Sequence, residues 1–352
     1  MNTCNSTSIS CSKFFFLCLP RASFDFRLDN SINKFKQRLT TWQSLQTVRT
    51  QHEATTLALT AVAIRSSMRL YSAVVDSQEI FSIQAECLVH SLMGLADVRP
   101  EQILLHVVGE IPASFKKSFN QLGVELVPIS PFPGHPYCNK LQQLQTLLHR
   151  KWDDAVLLDC DVVVLEGPPR SNGALRGKAV DFGNPPMPVL EEIFTKANVR
   201  LTPWTTDIDQ LPTAWANCNG GVYVIDHDLI NALAPAWQHW ANWGMKNLDL
   251  FKNFWQHVDQ VSFAMAVVSE GLPFESLEPR HNFPTHVAQS VARDCDPAVI
   301  HYHRSTDSEH CLQLMDGLPR VNTAINRVNE LLRMRRRENS VNSLFRVAKP
   351  DN

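Results

Sequence analysis

The stretch Ala155-Val-Leu-Leu-Asp-Cys-Asp-Val-Val-Val-Leu165 is an apolar, β-branched run broken by two carboxylates one residue apart. A run this apolar belongs to a strand in a sheet covered on both faces. Asp159 and Asp161 inside it are costly unless something pairs their charge. A divalent cation shared with phosphate oxygens is a natural partner, because hard ions such as Mg²⁺ and Mn²⁺ take carboxylate, phosphate and water oxygens. A D-x-D at a strand end therefore suits a nucleotide diphosphate. The competing reading is a strand end carrying two solvated aspartates, and the rest of the chain has to decide.

Upstream, the pattern alternates. Leu70–Asp76 reads as a strand, followed by a helix with Ile80, Ile83, Cys87, Leu88, Leu92 and Leu95 on one stripe. Ile103–Val108 is a second strand, Pro112 opens a helix to Leu122, and Gly123 stops it before the strand Val124–Ile129. A helix with Leu141, Leu144 and Leu148 then leads into the run with the two aspartates. Strands alternating with helices predict a parallel, Rossmann-like sheet with right-handed crossovers.

Downstream, a strand is expected at Ala179–Phe182, a helix at Val189–Ala197, and a loop through Trp215. Asn217–Ile225 reads as a turn and a buried strand, with a helix after it whose Trp237, Trp240 and Trp243 stripe reads as core rather than ligand platform. A helix starts near Asp259, the strand Ala298–Ile300 runs into His301-Tyr-His303, and a last helix begins at Pro319.

The chain has 352 residues, 44% of them hydrophobic and 19% charged, with a net charge of −2. That is ample material for a large core, and the near-neutral balance gives no reason to expect nucleic acid as a partner. No apolar run reaches the roughly 20 residues that span a bilayer. Nine scattered cysteines without C-x-x-C spacing predict reduced thiols and a cytoplasmic setting. Residues 1–67 read as an N-terminal extension. In it, the apolar block within Met1–Phe24 is too short for a signal h-region, and Asn33–Ser67 supplies one or two outlying helices. Residues 68–310 form the main domain, and residues 311–352 a basic amphipathic helix and tail. In that helix Val321, Ala324, Val328, Leu331 and Leu332 make a packing stripe, while Arg327, Arg333, Arg335, Arg336 and Arg337 concentrate positive charge. The charge complements the helix dipole and also suits peripheral contact with an anionic membrane.

A nucleotide-type βαβ half, a D-x-D ending the fourth strand, an Asn-Gly-Gly turn, an Asp-Gln pair and a late histidine occur here in order. Together they resemble the GT-A fold of nucleotide-sugar-dependent glycosyltransferases, most closely the retaining galactosyltransferase and glycogenin-like family, over roughly residues 69 to 305. The resemblance implies an α/β architecture in which a Rossmann-like nucleotide-binding sheet is fused to a mixed acceptor-side sheet, with helices on both faces. It implies Val75, Asp76, Lys140, Asp159 and Cys160 around a nucleotide-sugar, a UDP-sugar above others. It implies Asp159, Asp161 and His301 around Mn²⁺ or Mg²⁺, with His303 as the alternative imidazole. Asn219, Gly220 and Gly221 match the acceptor-side turn, where glycines let a ligand approach the backbone; a tight turn with positive φ needs no ligand. Asp259 and Gln260 match the catalytic pair beneath the transferred sugar. The acceptor itself, glycan, lipid or protein, is not written in the sequence.

Two departures stand out. The family carries a Gly-x-x-Lys-Pro-Trp segment over the diphosphate, whereas this chain reads His303-Arg-Ser-Thr-Asp307, leaving only Arg304 as a phosphate cation. A third acid after the Asp-Gln pair is replaced by Val261. A D-x-D phosphohydrolase would need its motif on the first strand, a nucleotidyltransferase would need a Gly-rich loop where Asp76-Ser-Gln-Glu79 stands, and an inactive binding module of the same fold is the non-enzyme alternative.

Overall fold

Six of the seven residues of Arg69–Val75 (β1) are buried, and this strand lies inside the largest sheet. The computed structural model describes residues 68–286 and 295–347. The expected N-terminal extension, with its outlying helices and the apolar block, lies outside them.

The neighbours of β1 are Ile103–Val108 (β2) and Asp154–Leu158 (β4), both parallel to it, with Tyr71 opposite Ile103 and Ala73 opposite Leu158. Glu125–Ile129 (β3) adds a parallel edge beyond β2. On the other side Cys218–Asp226 (β9) pairs antiparallel with β4, then antiparallel with Leu175–Ala179 (β6), and Phe274–Ser276 (β10) closes the sheet parallel to β6. The order is β10-β6-β9-β4-β1-β2-β3. The two expected halves are thus one continuous mixed sheet.

Strand alternation sorts its side chains into two cores. Leu70, Leu104, Ala155, Leu157, Tyr223 and Ile225 face helices Leu141–Leu147, Met187–Lys196, Ile230–Lys246 and Val258–Ser269. Tyr71, Leu105, Val156, Leu158, Val222 and Val224 face helices Glu79–Gly94 and Ala113–Leu122. Both faces are therefore covered, as the unbroken apolar strands require. Truncating a central residue such as Leu157 to Ala should cost about 2–5 kcal/mol. Trp237 is fully buried against Tyr223 and Phe263, with ring centroids 5.4 and 4.9 Å away, and is core; Trp240 and Trp243 are partly buried and pack against the same cluster. Gly123, at φ 79°, ends the helix Ala113–Leu122 as its position suggests.

Three expectations change. The run Ala155–Leu165 is not one strand: β4 stops at Leu158, residues 159–161 turn, and Val162–Val164 (β5) enters a separate three-stranded sheet. There β5 pairs antiparallel with Val299–His301 (β12), which is parallel to Phe283–Pro284 (β11). The chain leaves the large sheet where its carboxylates begin, since neither could be buried unpaired in the ladder. Second, β6 ends at Ala179 instead of beginning there; Arg176 and Lys178 disguised it, and Lys178 is buried only because Asp181 and Asp207 pair with it. Third, the loop before Trp215 contains a hairpin, Pro203–Thr205 (β7) with Pro212–Ala214 (β8).

Helix Pro319–Val347 buries Val321, Ala324, Ile325, Val328, Leu331 and Leu332. It packs on helix Glu79–Gly94 so closely that a Cβ on Gly94 would stand 2.9 Å from Leu331 Cδ1. Among the described residues no helix is long and apolar enough to cross a membrane.

Candidate metal centre

The turn between β4 and β5 carries Asp159 and Asp161, and the end of β12 carries His301. Because β12 pairs with β5, His301 sits opposite Val162, next to Asp161 in the chain. One ligand atom from each of Asp159, Asp161 and His301 lies within 4.8 Å of the others. His301 Nε2 is 3.3 Å from Asp161 Oδ1. Burial alone would raise the Asp161 carboxyl, yet the imidazole beside it carries it below its ordinary range; conversely, burial disfavours the imidazolium but Asp161 raises the His301 pKa. Two carboxylates and one imidazole nitrogen form a donor set that fits a divalent ion.

His303, the alternative ligand, is placed differently. Its ring stacks on His301 with centroids 3.9 Å apart, its Nδ1 lies 3.1 Å from the His301 carbonyl, and His286 meets it edge-on at 4.2 Å. Burial, then the neighbouring His301, push its pKa down to about 4, so it is neutral. It buttresses His301 and is outside the three-residue cluster.

Lys140 ends a short 3₁₀ turn, Pro136–Lys140, and its ammonium reaches the same cluster. Nζ donates to Asp159 Oδ1 at 3.0 Å and to the Gly220 carbonyl at 3.0 Å, and lies 3.6 Å from Asp259 Oδ2. Burial would lower its pKa, but Asp159 and Asp259 hold it up at about 12. Asp259 is buried in the first turn of Val258–Ser269, and burial raises its carboxyl pKa against the pull of Lys140. Its Oδ1 has no hydrogen-bond partner among the described residues. Gln260 is engaged elsewhere, its Oε1 3.1 Å from His257 Nδ1.

Val75 is fully buried at the end of β1, and the half-buried Asp76 accepts from the Ser77 backbone N–H at 2.6 Å. Asp76 is among the charges acting on the buried Cys160 thiol, whose pKa burial raises well above its usual range. Cys160 points away from a ligand role: its Sγ donates to Gln84 Oε1 at 3.3 Å. The ends of β1 and β4 thus meet at the D-x-D, as neighbouring parallel strands should. Arg304 is exposed on the far side of His303 in the chain.

Asn219-Gly-Gly221 is not the expected turn. It lies inside β9, and neither glycine has positive φ. The glycines are required by neighbours instead. A Cβ on Gly220 would stand 2.6 Å from Lys140 Nζ, and one on Gly221 would stand 2.4 Å from His301 Nδ1 and 2.8 Å from Asn282 Oδ1.

Behind His301 stands a network in which only Asn219 was singled out by the sequence. His301 Nδ1 is 3.1 Å from Asn282 Oδ1. Asn282 Nδ2 donates to Asn219 Oδ1 at 3.1 Å, which also accepts the Gly221 N–H at 3.0 Å. Asn219 Nδ2 donates to Asp181 Oδ2 at 2.6 Å, and the other oxygen of Asp181 accepts from Lys178. Asn282 closes a 3₁₀ turn, Pro279–Asn282, and no periodicity or motif marks it.

No family model matches the chain, and no curated protein does. Among solved structures it is similar to an active-site mutant of LgtC, with TM-score 0.49 and 15% identity over 75% of this chain and 95% of that one. It is also similar to the galactosyltransferase LgtC in complex with donor and acceptor sugar analogs, with TM-score 0.45, 15% identity and the same coverage. Mouse xyloside xylosyltransferase 1 is a third, with TM-score 0.43 and 14% identity over 68% of this chain and 99% of that chain.

Proposed function

We propose that this protein is a metal-dependent glycosyltransferase of the GT-A type, moving a sugar from a nucleotide-diphosphate sugar, a UDP-sugar above others, to a glycan, lipid or protein acceptor. The observation that carries the reading is the convergence of Asp159, Asp161 and His301 at the carboxyl end of parallel strands, where open α/β sheets bind nucleotides. Their donor set favours Mn²⁺ over Mg²⁺, because imidazole is a poor ligand for the harder ion. When bound, such an ion neutralises charge growing on a departing diphosphate.

The chain's own residues complete the assignment. Val75 and Asp76 are assigned to the nucleotide side of the D-x-D, and Cys160 only through its backbone, since its thiol is turned to Gln84. Lys140 is a cation already committed to Asp159 and Asp259, so it organises those carboxylates and adds positive potential beside them. Asp259, whose Oδ1 has no hydrogen-bond partner among the described residues, is assigned to the hydroxyls of the transferred sugar. Gln260 follows it at the start of the helix, and the pair favours retention of anomeric configuration. The acceptor is assigned to the side of Asn219, Gly220 and Gly221. A cytoplasmic location is part of this proposal and rests on the scattered cysteine spacing of the sequence. The exposed Arg327, Arg333 and Arg337 are the candidates for peripheral contact with anionic lipid, since Arg335 pairs with Glu338 and Arg336 is bound to the Glu309 and His310 carbonyls.

A donor screen with Mn²⁺, read as release of nucleoside diphosphate, tests this. Release from one class of nucleotide-sugar that EDTA abolishes is the expected result. Binding of UDP and Mn²⁺ without release or transfer from any donor would instead make the chain a binding module, and release of inorganic phosphate from simple esters would make it a D-x-D phosphohydrolase.

A further inference from the structure

The amide groups of Asn219 and Asn282 are oriented by two partners whose roles admit no choice. The Gly221 backbone N–H can only donate, and it meets Asn219 Oδ1 at 3.0 Å. The Asp181 carboxylate, held by the buried Lys178, can only accept, and it meets Asn219 Nδ2 at 2.6 Å. Asn219 is therefore fixed, oxygen toward Asn282 and nitrogen toward Asp181. Asn282 must offer its nitrogen to Asn219 Oδ1, at 3.1 Å, and to the Asn219 carbonyl, at 3.4 Å. Only its oxygen is then left for His301 Nδ1, at 3.1 Å. An oxygen acceptor there holds a proton on Nδ1, against the competing pull of Asp161 Oδ1, 3.3 Å from Nε2.

We propose that Asn282 is a positioning residue which, anchored through Asn219 to the Asp181–Lys178 pair, sets the tautomer of His301 and so presents the Nε2 lone pair to a metal ion shared with Asp159 and Asp161. This rests on the metal reading given above, and extends it to residues outside the ligand set. The assembly is built to hold this polarity. Lys178, Asp181, Asn282 and His301 are all buried, and Lys178 is further pinned by Asp207 Oδ2 at 3.0 Å. No side chain can grow from Gly221 into the contact between His301 and Asn282, because its Cβ would lie within 2.8 Å of both. The pairing of an ordered acceptor with the non-ligating nitrogen is how proteins hold a metal-binding imidazole, and removing it lowers affinity by about 10- to 100-fold.

The test uses the full chain, ¹⁵N-labelled at histidine, without metal and at a pH where His301 is neutral. Long-range ¹⁵N–¹H correlation on the unmodified protein should show His301 protonated at Nδ1; an Nε2–H tautomer overturns the proposal, and this measurement needs no variant. Asn282→Leu removes both polar atoms at nearly constant volume. It should convert His301 to a mixture of tautomers and weaken Mn²⁺ binding, read by the electron paramagnetic resonance of free Mn²⁺, about 10- to 100-fold. Asn282→Asp keeps an acceptor facing Nδ1 and should restore the Nδ1–H tautomer. An unchanged tautomer in Asn282→Leu refutes the role. If the unmodified protein takes up no Mn²⁺ at all, the metal reading fails and the proposal with it; if it does and both Asn282 variants bind equally well, only the proposal fails.

Discussion

Lys140 Nζ occupies the place where a side chain at position 220 would begin, 2.6 Å from the Cβ that Gly220 lacks. The glycine pair in β9 thus makes room for two functional groups, an ammonium at Gly220 and an imidazole at Gly221. The two positions should respond differently to alanine. Lys140 ends in a flexible chain and can withdraw, so Gly220→Ala should fold with little loss yet pull the ammonium away from Asp159 and Asp259 and depress donor turnover. The His301 ring cannot withdraw, so Gly221→Ala should lose about 1–3 kcal/mol to overpacking and lose Mn²⁺ binding. Urea denaturation and Mn²⁺ titration of the two variants check the contrast, and equal stability loss in both would contradict it.

Removing Lys140 outright is more costly. Its ammonium lies 3.6 Å from the buried Asp259, so Lys140→Met should destabilise by about 3–5 kcal/mol, the usual result of leaving one member of a buried pair behind. A double variant with Asp259→Asn should recover part of that loss. Chemical denaturation of the single and double variants measures the coupling.

Metal dependence should follow the ligand set. Asp161→Ala is expected to abolish donor turnover and His301→Ala to make the Mn²⁺ requirement much steeper, with circular dichroism unchanged in both. Full turnover by Asp161→Ala, or in EDTA, would sink the metal reading.

Acid stability has a separate source. His106 is fully buried, and its pKa is lowered to about 4, by burial first and then by Arg150. His90 is lowered to about 4 by burial and then Arg335. A histidine depressed in the fold binds its proton more readily when unfolded. Stability should therefore be intact above the ordinary histidine pKa of about 6.5 and fall as pH drops from there to about 4, by up to on the order of 3 kcal/mol per group. Ser72 donates to Gln143, so His106 Nδ1–H must donate to Ser72 and its Nε2 has no partner among the described residues. His106→Leu should flatten the acid limb of the stability curve, and an unaltered limb would refute the assignment.

Stereochemistry separates the roles of Asp259 and Gln260. Retention predicts that the product keeps the donor's anomeric configuration, which NMR of the anomeric proton reads directly, and that Gln260→Ala slows transfer. An inverted product, with near-normal rates for Gln260→Ala, would instead make Asp259 a general base, whose loss costs about 10²- to 10⁴-fold.

Much of this architecture was legible in the residues. The two-faced burial of β1, β2 and β4 follows from their unbroken apolar runs, and the approach of Asp159, Asp161 and His301 followed from motif order. What escaped was polar structure that only three dimensions assemble. Lys178 hid β6 because a lysine argues against a buried strand until Asp181 and Asp207 are seen beside it. Asn219-Gly-Gly221 looked like a turn because glycine pairs usually are; here the requirement for glycine comes from Lys140 and His301, which lie far away in sequence. Asn282 carried no signal, since one asparagine in a short 3₁₀ turn matches no pattern.

The chain changes sheets between Leu158 and Val162. Asp159 stays with the large sheet, its N–H donating to the Gly221 carbonyl at 3.1 Å, while Asp161 is tied to the small one, its carbonyl accepting the Tyr302 N–H at 3.0 Å. A cation held by Asp159, Asp161 and His301 would therefore rivet two separately hydrogen-bonded layers across their seam. Loading would slow amide exchange in β5, β11 and β12 before it altered the interior of the large sheet, and the protein's heat resistance would rise with the logarithm of metal concentration above the dissociation constant. The ion that serves the chemistry would serve also as a fastener of the fold.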